Sequence, residues 1–122
     1  MLTVINLVKD GKLELVDSSI IEYENSIYPF PERMLFILEV MKLAGSYQNI
    51  DEEIYERARA IEHKMRIPPI DSLHIAAAEA AKVDYFITCD YTIIKRCGVD
   101  KGGMRVITPL EFITQYESRH RK

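Results

Sequence analysis

Two carboxylates bracket the most informative stretch of this sequence, Ile67-Pro-Pro-Ile-Asp-Ser-Leu-His-Ile-Ala-Ala-Ala-Glu-Ala-Ala-Lys-Val-Asp-Tyr-Phe-Ile-Thr-Cys-Asp90. Asp71 lies near its start and Asp90 closes it. Acidic side chains gathered at one place repel and raise one another's pKa unless a cation sits among them. A hard divalent ion such as Mg²⁺ or Mn²⁺ takes oxygen ligands and keeps several waters. Such an ion can polarise a phosphate and activate a water for hydrolysis. Both residues also have plainer uses, Asp71 as a helix cap and Asp90 as a turn residue before the next helix.

The elements around them decide whether they can meet. Pro68 and Pro69 pre-set the backbone for a helix start and cannot sit deeper inside one. Asp71 then falls in the first turn, where a negative charge suits the helix dipole. The run Ile75 to Ala81 is strongly helix-forming and small, so this helix can lie close to its neighbour. Tyr85 to Thr88 is short, apolar and rich in β-formers, the pattern of a buried strand. Asp90 sits just past its carboxyl end, the edge of an open α/β sheet where ligands bind. One carboxylate opening a helix and another closing the next strand can therefore converge.

Upstream, Met1 to Lys9 carries an apolar helical stripe (Leu2, Ile5, Val8), with Gly11 placed to end it. Leu13 to Val16 reads as the first strand and Asp17-Ser18-Ser19 as punctuation, with Asp17 or Ser18 capping a short helix from Ile20 to about Ser26. That helix would bring Glu24 to the same sheet edge. Pro29-Phe30-Pro31 opens a helix with Met34, Leu35, Leu38 and Met41 on its apolar side, ended by Gly45. Tyr47 to Ile50 is a second short strand. Asp51 caps a long helix that buries Ile54, Ala58, Ile61 and Met65. His63 reads as a surface residue, and His74, one turn beyond Asp71, as a hydrogen-bonding neighbour of the site. Past Asp90, Thr92 to Cys97 forms a short helix, Gly98 to Gly103 a loop, Arg105 to Ile107 the last strand, and Thr108-Pro109 the start of a closing helix. Helices alternating with strands predict an α/β fold in three layers, a mostly parallel sheet flanked by helices.

A length of 122 residues suits one domain spanning 1–122, large enough for a proper core. The net charge of −3 does not advertise a nucleic-acid binder, though an acidic metal site contributes negative charge that bound cations would offset. The only dense basic cluster is the tail, Arg119, His120, Arg121 and Lys122. Cys89 and Cys97 lack metal-ligand spacing and read as reduced thiols of a cytoplasmic protein. The first apolar segment is too short and too interrupted to span a membrane.

The pattern Pro-x-Asp-Ser-Leu-His-Ile-Ala-Ala-Ala-Glu, then Val-Asp-Tyr-Phe-Ile-Thr-Cys-Asp, then Arg105-Val-Ile-Thr-Pro-Leu-Glu-Phe resembles the C-terminal half of PIN-domain proteins, which include the ribonuclease toxins of type II toxin–antitoxin pairs. Glu14-Leu-Val-Asp-Ser-Ser-Ile-Ile-Glu-Tyr-Glu-Asn-Ser-Ile resembles the family's second strand and following helix. The resemblance implies a Mg²⁺- or Mn²⁺-dependent endoribonuclease with RNA as substrate and an antitoxin protein as a possible partner. Residue by residue, it implies Asp71 and Asp90 as catalytic and metal-ligating positions, with Glu24 as the third and Glu22 as its alternative. The family's opening strand, with the first acidic residue at its end, has no counterpart, so low or absent activity is expected of this chain. The alternative is a non-catalytic interaction module. In the family that strand lies between the strands corresponding here to Leu13–Val16 and Tyr85–Thr88. Without it, two rows of backbone donors and acceptors lack partners, at about 1–3 kcal/mol for each buried group. Two outcomes are expected: the neighbouring strands close up, or a second copy covers the gap. Either way the chain is expected to be a homo-oligomer.

Overall fold

The computed structural model describes residues 2–98, 100–101 and 103–120. The chain is α/β: helices alternate with short strands whose pairing is mostly parallel. Its elements are α1 (Leu2–Lys9), β1 (Val16–Ser18), α2 (Ser19–Ser26), α3 (Pro31–Met41), β2 (Ser46–Gln48), α4 (Glu52–Met65), α5 (Pro69–Ala80), β3 (Tyr85–Ile87), α6 (Tyr91–Cys97), β4 (Asp100–Lys101), β5 (Met104–Ile107) and α7 (Pro109–His120).

The core is built by α4 and α5 against β3 and β5. Asp51 accepts a hydrogen bond from the Ile54 backbone N–H at 2.9 Å and so starts α4. Its periodic apolar residues Ile54, Ala58 and Ile61 are buried, as that spacing predicts, while Met65 packs at the margin. Arg66 turns the chain out of α4 in the left-handed conformation (φ 55°). The two prolines then launch α5, and the fully buried Ser72 hydroxyl donates to the Ile67 carbonyl at 3.1 Å, which fixes that turn from inside. Small residues on α5 let it lie close: Ala76 and Ala77 are buried together with Ile75. Arg57 and Glu79, on the outer sides of α4 and α5, add an exposed bidentate pair at 2.9 and 3.3 Å.

Several sequence expectations shift. The first strand is Val16–Ser18 and not Leu13–Val16, because Ser18, not Asp17, caps α2: its Oγ accepts from the Ile21 N–H at 3.2 Å, and Asp17 stays in the strand, buried. Gly45 does not end α3, which stops at Met41; Gly45 instead donates its N–H to the Leu15 carbonyl at 2.8 Å as β2 begins, and a Cβ there would meet the Glu14 side chain at 2.8 Å. The expected loop from Gly98 to Gly103 contains β4, paired antiparallel to β5. Arg121 and Lys122 of the basic tail lie outside the described residues.

The strands form two half-sheets rather than one sheet: β1 with β2, parallel, and β3-β5-β4, in which β3 and β5 are parallel. Among the described residues β1 and β3 do not pair, so the expectation that they close up is not met. An apolar cavity of about 670 Å³ lies between them, lined by Val16 and Ser18 on one side and Tyr85, Phe86 and Ile87 on the other.

Candidate active site

Each candidate carboxylate belongs to a helix or its cap: Glu24 to α2, which follows β1, Asp71 to α5, which follows α4, and Asp90 to α6, which follows β3. Asp90 is the N-cap of α6; one of its oxygens accepts from the Thr92 and Ile93 N–H groups at 2.9 and 3.4 Å, and its own N–H donates to the Thr88 hydroxyl at 3.1 Å. This cap uses one oxygen and leaves the other for the rim. Asp71 lies in the first turn of α5 and caps nothing there; the position before the helix is Pro68, which offers no side-chain cap. Glu24 projects from α2 and meets His74 of α5, with Oε1 and Nε2 3.0 Å apart. The Glu24 side chain is half exposed and the His74 ring largely covered.

These residues share an electric field. Burial is the main reason the Asp71 carboxyl sits above its ordinary range; the His74 charge pulls it down, and the charges of Asp90 and Glu24 push it up. The charges of Asp90 and Glu24 thus both reach Asp71. Glu22 does not join them. Its Oε1 accepts from the Tyr47 hydroxyl at 2.6 Å, and it faces Asp17. His63 is exposed on α4, as expected.

Asp17 is the carboxylate that sequence reading passed over. It is buried on β1, where it accepts from the Ser18 N–H at 2.7 Å. Burial raises its pKa, the bond from Ser18 lowers it, and Glu22 raises it again. The triplet Val-Asp-Ser reads as strand end plus turn; the signal that could have placed Asp17 in the strand is Ser18 itself, a sufficient cap one position later.

Three carboxylates offer only oxygen, which suits a hard divalent cation in kind. In spacing they fall short: among the described residues no group of three or more His, Cys, Asp or Glu side chains is arranged to hold a metal ion. No described helix is long and apolar enough to cross a membrane, and neither cysteine is in a disulfide.

No match was found among curated proteins or among solved structures. A family model described as PIN domain matches residues 31–99, a span that contains Asp71, His74 and Asp90 and leaves out Glu24. PIN domains are nuclease-like in function and generally use divalent metals. With more than half of its length matched, this chain belongs to the PIN-domain family.

Proposed function

We propose that the chain is an endoribonuclease of PIN type, acting in the cytoplasm at the rim formed by Glu24, Asp71 and Asp90, with low activity on its own. What supports this reading is that the charges of Asp90, at the β3–α6 junction, and of Glu24, on α2, both reach Asp71 of α5, with His74 of the same helix 3.0 Å from Glu24. The oxygens of Asp71, Asp90 and Glu24 suit Mg²⁺ or Mn²⁺ in kind but not in spacing, so they would hold such an ion only loosely; when bound it would neutralise phosphate charge and activate water. Asp71, whose carboxyl burial holds above its ordinary range, is the one of the three best suited to accept a proton from an attacking water. His74 orients Glu24 through their hydrogen bond. Asp90 is anchored by the first turn of α6. The loose spacing of the set is the reason to expect slow turnover.

Incubation of single-stranded RNA with the full chain and Mn²⁺ tests this. Asp71→Asn and Asp90→Asn should each abolish metal-dependent cleavage, and both should fold, because Asn keeps the cap at position 90 and suits the first turn at position 71. Cleavage that survives both changes would exclude this rim.

A second reading is a non-catalytic module that works through self-association. It is favoured by α3, which has no buried residue although Leu35, Phe36 and Leu38 are large and exposed. Exposed apolar patches of this kind mark protein contacts. Sedimentation equilibrium separates the readings: a dimer dispersed by Leu35→Ser with Leu38→Ser supports the module, and a monomer at all concentrations removes it.

A further inference from the structure

We infer that the cavity between β1 and β3 is a strand-binding slot for an extended, uncharged, apolar segment of a partner protein, seated parallel to both edges. The inference is independent of the hydrolytic reading. Backbone polarity defines the slot. Gly45 N–H donates to the Leu15 carbonyl, so Leu15 and, by alternation, Asp17 face β2, which turns the N–H and C=O of Val16 toward the cavity. Across it, Arg105 N–H donates to the Asp84 carbonyl and Thr88 N–H to the Ile107 carbonyl, both at 3.0 Å. Asp84, Phe86 and Thr88 therefore face β5, and Tyr85 and Ile87 present their N–H and C=O to the cavity.

The two edges run the same way. Glu24, which follows β1, and Asp90, which follows β3, both act on Asp71, so both strands end at one rim. At the other end Lys12 and Glu14, which precede β1, and Lys82 and Asp84, which precede β3, line the cavity together. A single added strand, parallel to each, would join the half-sheets into one. Two lysines and two carboxylates stand at that amino-end mouth, and past it the lining carries no Asp, Glu, Lys or Arg, only His74 near the rim. Its complement is uncharged. The remaining walls are helical and apolar, including Ile5 and Val8 of α1, Phe36 and Ile37 of α3, and Ala77 and Ala78 of α5. A strand buried on both faces reads as a continuous apolar run. Each edge is three residues long, roughly 10 Å at the rise of a strand, so an occupant needs about four or five residues. Strand addition of this kind draws affinity from main-chain hydrogen bonds and specificity from side-chain pockets.

The test adds the labelled peptide Gly-Val-Ile-Val-Leu-Val-Ser to the full chain and follows binding by anisotropy and amide exchange by NMR. Exchange at Val16, Tyr85 and Ile87 should slow about tenfold or more on binding, while Asp17 and Phe86, already paired, change little. The same peptide with alternate amides N-methylated should bind about tenfold more weakly. Three results would overturn the proposal: no binding up to the peptide's solubility limit; binding indifferent to N-methylation, which is apolar adsorption; or slow exchange at these three amides in the free chain with sedimentation as a dimer, which would make a second copy the occupant.

Discussion

Two halves of this molecule, both rich in apolar residues, differ in what they bury. The α4–α5 half packs Ile61, Ile67 and Ile75 out of reach of solvent, with Val106 of β5 in the same cluster. The half built from α1, β1 and α3 surrounds a cavity, and α3 buries none of its apolar residues. Apolar composition is thus no measure of cohesion; it becomes cohesion only where a facing surface exists to take it. The α4–α5 half has that surface within the chain. The α1–β1–α3 half offers two strand edges and a helix that want something more.

Substitutions can break this comparison. Ile75→Ala should cost about 2–5 kcal/mol in chemical denaturation, the range for a buried Ile truncated in a packed core; a loss below about 1 kcal/mol would mean that the α4–α5 half is as loose as the other. Neighbouring alanines sharpen it. Ala76 is buried away from the cavity and Ala77 lines it. Ala76→Leu should destabilise by about 1–3 kcal/mol through overpacking, whereas Ala77→Leu has room to fill and should be neutral or stabilising. Equal penalties at both would deny that the cavity is open. Asp90→Ala should cost about 0.5–2 kcal/mol through loss of the α6 cap, with Asp90→Asn close to wild type. Smallest of all, Leu35→Ser on the exposed side of α3 should stay within about 0.5 kcal/mol in the monomer.

The pH dependence adds a signed prediction. The folded-state pKa of Asp71 is raised above its unfolded value, so its contribution to stability is complete below the unfolded pKa and is lost as pH rises through the folded one. In metal-free buffer Asp71→Asn should therefore melt higher than wild type at neutral pH, and the gap should close in acid, below the ordinary carboxylate range. A gap that widens in acid would show the opposite sign.

Much of this was legible in the sequence for local reasons. The Pro-Pro start of α5, the Asp51 cap and the 3.6-residue spacing of Ile54, Ala58 and Ile61 act within one element, and each was read where it stands. The places of Asp71, in the first turn of α5, and of Asp90, at the start of α6, were legible because each depends on residues beside it. What failed depended on partners far along the chain. Leu13 and Leu15 alternate like strand residues yet line a cavity, and the ladder begins at Val16 because Gly45 pairs with Leu15. Gly45 looked like a helix terminator but is small because Glu14 crosses it. Pairing of β4 with β5 depends on a short turn that a glycine-rich loop pattern does not specify.

Carbon-detected NMR titration of the Asp71 carboxyl, in wild type and in the Glu24→Gln and Asp90→Asn variants without metal, tests the shared rim most directly. The account predicts that each variant lowers the Asp71 midpoint toward the ordinary range and that together they lower it further. A midpoint indifferent to both changes would mean that the three carboxylates do not share a site.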